Sequence, residues 1–166
     1  MKFELVEQTG LSGAKTPIYS ILMHGEEETL YEKFVRRYYP EYPDEITDID
    51  IKLEEIGNQV GLRDSFYTPH EGAPGDGICA LFDNPDKKCR LYFIGFGKVA
   101  VVLGGGGPKS KKLRAFQESQ VLTEENYLLR KIAIILNQAI KDKRLVLTED
   151  GFESEDGFVF SDEEED

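Results

Sequence analysis

A chain of 166 residues, 40% of them hydrophobic, has material for one folded domain and little for a second core. No apolar run reaches the ~18 residues that a membrane-spanning helix needs. Met1–Glu7 alternates apolar and charged residues without an apolar core segment, so no secretory signal is expected and the reading is cytoplasmic.

The formal net charge of −12 is unevenly placed. Residues 149–166 carry ten acidic side chains and no Lys or Arg, whereas residues 86–145 hold thirteen Lys/Arg against five Asp/Glu. That separation leaves two readings: an anionic partner for the middle of the chain, or helix faces that are simply solvated. The acidic end either solubilises the protein or folds back over the basic segment as a phosphate mimic.

Taken in order, Lys2–Glu7 reads as a strand, residues 10–15 as a Gly/Ser loop and residues 16–24 as a second strand. Glu26–Glu28 offer carboxylates to a helix N-terminus, and Leu30, Tyr31, Phe34, Val35 and Tyr38 recur at helical spacing. Pro40 and Pro43 are expected to stop that helix. Ile46, Ile49, Leu53, Ile56 and Val60 form one apolar stripe of a second helix, capped by Asp44 or Thr47 and ended by Gly61. Residues 63–76 read as a loop. Residues 78–82, 90–96 and 98–103 then form a three-strand antiparallel meander, because the connections are too short for parallel crossovers. Its strands are apolar on both faces and should be central and covered. A last helix is expected from about Glu124 to Lys141 with Thr123 as its cap, followed by a closing hairpin of residues 145–147 with 158–160. A single domain over residues 1–160 and a disordered acidic tail over 161–166 complete the layout.

Cys79 and Cys89 flank the turn at Pro85–Asp86. Pairing Cys79 with Tyr92 and Cys89 with Phe82 keeps them apart, as reduced thiols in a hairpin. His24 and His70 lie in separate segments without ligand spacing, so no metal site is expected. A Cys79–His70 nucleophile pair is conceivable, but the apolar run around Cys79 favours an inert buried thiol.

The most unusual feature is the run Gly104–Gly107, followed by Pro108, Lys109, Ser110, Lys111, Lys112 and Arg114. Two readings stand: a glycine-lined anion nest with lysine counter-charge, or a flexible strand-to-helix connector with solvated lysines. It is not a nucleotide-binding P-loop, which needs glycine immediately before lysine where Pro108 stands. Arg90 and Tyr92 share a strand face and Lys98 begins the next strand. An antiparallel meander brings Arg90 to the edge where the glycine run leaves. A fork of guanidinium and ammonium groups there can hold a phosphate and stabilise added negative charge.

The order strand, two helices, then a meander containing Cys79–Phe82, Arg90–Tyr92 and Lys98–Leu103, with a Gly/Lys-rich exit and Gln117–Glu118, resembles the RelE/ParE toxin superfamily, nearest its HigB-like branch. The resemblance spans roughly residues 26–118. It implies an α+β fold: an antiparallel sheet with a central meander, an N-terminal helical hairpin and a C-terminal helix packed on it. It implies a type II toxin that cleaves mRNA on the ribosome without metal or other cofactor, and an antitoxin partner, often with a helix-turn-helix domain. By position, Arg90, Lys109 and Lys111 are the expected catalytic residues, and Tyr92 joins them as the available general acid or base. Lys98, Gly105, Gly106, Gly107, Lys112 and Arg114 are the expected phosphate contacts. The alternative is a catalytically silent relative that acts as a binding module for an antitoxin-like or other protein partner.

Overall fold

The computed structural model describes residues 1–82, 85–109 and 120–162. Lys111, Lys112, Arg114 and residues 163–166 of the acidic tail lie outside them.

The first strand, β1 (Lys2–Glu7), alternates as its sequence demands, with Phe3 and Leu5 buried and Lys2 and Glu4 exposed. It pairs antiparallel with β2 (Ile18–Met23). Helix α1 (Leu30–Tyr38) begins at a capping box: Thr29 Oγ1 accepts from the Glu32 amide at 3.2 Å, and Glu32 Oε1 accepts from the Thr29 amide at 2.9 Å. Glu28, one of the carboxylates expected near this N-terminus, grips Arg36 at 2.7 Å. Thr29→Ala removes one half of the box and should lower stability by about 1 kcal/mol, read as a drop in the urea midpoint at unchanged slope.

Helix α1 ends ahead of Pro40, as expected, and helix α2 (Pro43–Glu55) carries Pro43 in its first turn. Neither Asp44 nor Thr47 caps it, and Tyr42 precedes it without a side-chain bond. Ile46, Ile49, Leu53 and Ile56 are buried as one stripe, but residues Ile56–Val60 relax into a π turn that leaves Val60 39% exposed. Gly61, at φ 75°, ends the segment as expected. The loop that follows contains a two-residue strand, β3 (Tyr67–Thr68).

The meander forms as read. Its strands β4 (Ile78–Leu81), β5 (Cys89–Phe96) and β6 (Ala100–Pro108) are antiparallel neighbours. Their register differs by one residue from the expected one: Cys79 lies opposite Phe93, and Cys89 opposite Pro108 on the far side of β5. Both cysteines are free, buried thiols. The seven-stranded sheet runs β3-β4-β5-β6-β2-β1-β9. Among the described residues its one parallel pair is β2 with β6, so the sheet is mostly, not wholly, antiparallel.

Both faces are covered. Helices α1 and α2 lie over Leu81, Leu91, Phe93 and Leu103 on one side. Helix α3 (Gln120–Lys141) seals Ile78, Tyr92, Ile94 and Val102 on the other with Leu129, Ile132 and Leu136. It begins before Thr123, which therefore sits inside the helix and not at its cap. The expected closing hairpin does not form. Instead β7 (Val146–Thr148) pairs with β8 (Gly151–Glu153), and β9 (Val159–Ser161) joins the sheet edge against β1. Ser161, expected to open a disordered tail, ends that strand, and Asp162 binds the Met1 amino group at 2.7 Å. Among the described residues no helix is long and apolar enough to cross a membrane.

Candidate functional site: a cationic corner and an adjoining cleft

The register of β5 and β6 fixes where the expected site residues stand. Arg90 lies opposite Gly107, and the Lys109 amide donates to the Lys88 carbonyl at 2.6 Å, extending the ladder one step. Lys88, Arg90 and Lys109 thus share one end of the meander. The corner also holds an anchored carboxylate. Glu45, in the first turn of α2, accepts from the amides of Lys88 at 2.9 Å and Cys89 at 2.7 Å. Burial, then Glu45 and Glu41, push the Cys89 thiol up to about 12, with Lys109 pulling the other way. The thiol there stays protonated.

Three expectations fail against this geometry. Tyr92 is 0% exposed, locked in the core beneath α3, and presents no surface to a nucleic acid. Lys98 sits at the opposite end of β5, where it pairs with Asp64 at 3.2 Å. An eight-residue strand, roughly 25 Å long, separates it from the corner. The glycine run is neither nest nor connector: Gly104–Gly107 are buried residues of β6, and none has a positive φ.

What the glycines do is let elements touch. Between Leu91↔Gly106 and Phe93↔Leu103, two residues of β6, Gly104 and Gly105, oppose Tyr92 alone, which makes a β-bulge. A methyl group at Gly104 would lie 2.7 Å from Leu129 Cδ2, and one at Gly105 would run into the Glu125 carboxylate. The bare backbone is what allows α3 to settle onto the strand.

The same stretch opens a cleft. Strands β2 and β6 stay in register only through Ser20↔Leu103, where Ser20 Oγ donates to the Leu103 carbonyl at 2.8 Å and accepts from the Tyr31 amide. Beyond that point the two parallel strands part at their C-terminal ends, the usual place for a binding crevice in such a pair. Helix α1 enters from one face and α3 from the other. Between them lies a cavity of about 300 Å³ whose wall includes Lys33, Arg37, Tyr38, Gly105, Gly106 and Glu125. Glu125 Oε2 is buried with no hydrogen-bond partner among the described residues. Burial holds the Glu125 carboxyl above the ordinary carboxylate value, while Lys33 and Arg37 act to lower it and Glu124 to raise it. Burial likewise raises the Tyr38 phenol. In sequence, Glu125 was legible only as a carboxylate near a helix start, and Lys33 and Arg37 as polar positions of an amphipathic helix. No local pattern announces that they meet.

Cys79 and His70 do line one cavity, of about 390 Å³, beneath the loop before β4. The Cys79 thiol donates to the Gly77 carbonyl at 3.4 Å, and burial pushes it up to about 11. That is a protonated, weakly nucleophilic sulfur.

Comparison with known proteins finds no matching family model, no matching curated protein and no matching solved structure.

Proposed function

We propose that the chain is a RelE-like protein of the toxin type that binds RNA at the Arg90–Lys109 corner and cleaves mRNA in partnership with the ribosome. The observation that carries this reading is the pairing of Arg90 with Gly107 beside the Lys88–Lys109 hydrogen bond, which gathers three cations at one end of the sheet. The coarser frame is in keeping with it: an α+β chain with a mostly antiparallel sheet and three α-helices among the described residues. In the reaction, the 2′-oxygen of a nucleotide bonds to the adjacent phosphorus, the 2′-proton leaves, and the bond to the 5′-oxygen breaks as that oxygen takes up a proton. Arg90 and Lys109 hold the non-bridging oxygens, where negative charge builds up. An antitoxin would cover the corner with acidic side chains.

A second reading, a silent binding module that pairs with an antitoxin-like partner, is favoured by one observation. With Tyr92 sealed in the core, only Arg90 and Lys109 of the expected catalytic set remain at the corner among the described residues.

Inducible expression separates the two. The toxin reading expects growth arrest by the wild-type chain and relief by Arg90→Ala or Lys109→Ala at equal protein level. Normal growth with intact mRNA at high expression of the wild type contradicts it and leaves the binding module.

A further inference from the structure

We infer that the cleft between α1 and α3 is a binding site for a small dianion of the phosphate-ester class, separate from the Arg90 corner. The geometry points to it in four ways. The cleft lies at the C-terminal ends of the parallel strands β2 and β6, where the sheet splits and backbone lines a concave space. Its volume of about 300 Å³ suits a phosphate with a compact organic body.

Its charge is also poised for an anion. Lys33 and Arg37 are one helical turn apart on α1 and both line the cavity. Neither forms an ion pair with a carboxylate among the described residues. Of the acidic groups that also line the cavity, Glu28 is committed to Arg36 through bonds of 2.7 and 2.9 Å, and Glu26 is the other carboxylate of the α1 side. Glu125 faces the two cations across the cavity, and its buried Oε2 lacks a donor. Burial favours the neutral form of that carboxyl, and in that form it donates to a ligand oxygen in place of repelling it.

The lining completes the fit. Phe34 and Leu128 supply an apolar wall for the organic part. The Tyr38 hydroxyl lies beside Gly107, 3.3 Å from where a methyl group there would stand, and offers a further donor. A phosphate ester seated here accepts from Lys33, Arg37 and Tyr38, and from Glu125 in its neutral form. The cleft does not depend on the RNA reading, because Arg90 and Lys109 are absent from its wall.

The test uses the full chain with inorganic sulfate and glycerol 3-phosphate as probes, followed by thermal unfolding and by amide chemical shifts. Saturable stabilisation by both probes is expected. Loss of at least ~10-fold in affinity is expected in Lys33→Ala/Arg37→Ala, a pair of changes at a half-buried and an exposed position outside the hydrophobic core. Arg90→Ala should retain the binding. Burial shifts the Glu125 proton uptake to higher pH than that of an exposed carboxylate, so sulfate affinity should rise in wild type as pH falls through that uptake. In Glu125→Gln it should stay flat. Absence of saturable binding overturns the inference, as does binding that survives the double substitution. Binding lost in Arg90→Ala places the anion at the meander corner, which overturns the cleft site while leaving the RNA reading standing. Equal pH dependence in wild type and Glu125→Gln removes the carboxyl from the site.

Discussion

Gly106→Ala is expected to destabilise the fold by about 3 kcal/mol, far more than the same change one residue earlier. The physical reason is what the new methyl group meets. At Gly106 it collides with the Arg90 carbonyl and crowds the Arg90 carbonyl carbon and the Leu91 Cα, all of them backbone. Relief requires β5 and β6 to move apart at Leu91↔Gly106, the pair next to the bulge, with loss of ladder hydrogen bonds of about 1 kcal/mol each. At Gly105 the methyl group meets the tip of the Glu125 side chain, which can swing aside, so Gly105→Ala should cost about 1 kcal/mol or less. Urea unfolding of the two variants measures the contrast. Equal losses would mean that the close approach of Gly106 to β5 does not hold this part of the sheet together.

Tyr92→Ala should cost about 4 kcal/mol, because a large, fully buried aromatic leaves a cavity between α3 and the meander. Its effect on any RNA activity should track the loss of folded protein. Arg90→Ala, at a partly exposed strand position, should change stability by less than about 1 kcal/mol while removing RNA binding. The pair separates a packing residue from a ligand-contacting one on the same strand face. A Tyr92→Ala protein that keeps wild-type stability but loses activity would return Tyr92 to the site.

The parts of the fold that the sequence discloses are those with a long local period. The stripe of Ile46, Ile49, Leu53 and Ile56 needs only helical geometry to be recognised, and the meander needs only its short turns. Boundaries set by competition were less readable. Val60 continues the helical spacing, yet the chain widens into a π turn before reaching it. Pairings set by topology were not readable at all. Residues 158–160 are visibly apolar, but a three-residue strand carries little register information, and its partner is β1, at the other end of the sequence.

The candidate site was half legible for a related reason. Strand alternation and hairpin geometry were enough to bring Arg90 to the end of the glycine run. The same reasoning put Tyr92 on the face of Arg90 without revealing that α3 covers it. Glycine in a sequence suggests conformational freedom. In Gly104–Gly107 its use is the missing Cβ, which lets a strand bulge lie under Leu129 and Glu125. Lys98 looked like a member of the basic cluster because it is near Arg90 in sequence, but β5 carries it to the opposite end, where Asp64 neutralises it.

Fluorescence anisotropy of a short single-stranded RNA, titrated with purified protein across a range of salt, tests the Arg90–Lys109 corner most directly. Wild type should bind with an affinity that falls as salt rises, and Arg90→Ala/Lys109→Ala should bind more weakly with a slope of log K on log salt shallower by about 1.4, near 0.7 for each lost phosphate contact. An unchanged affinity and salt slope in the double variant would show that these two cations hold no phosphate.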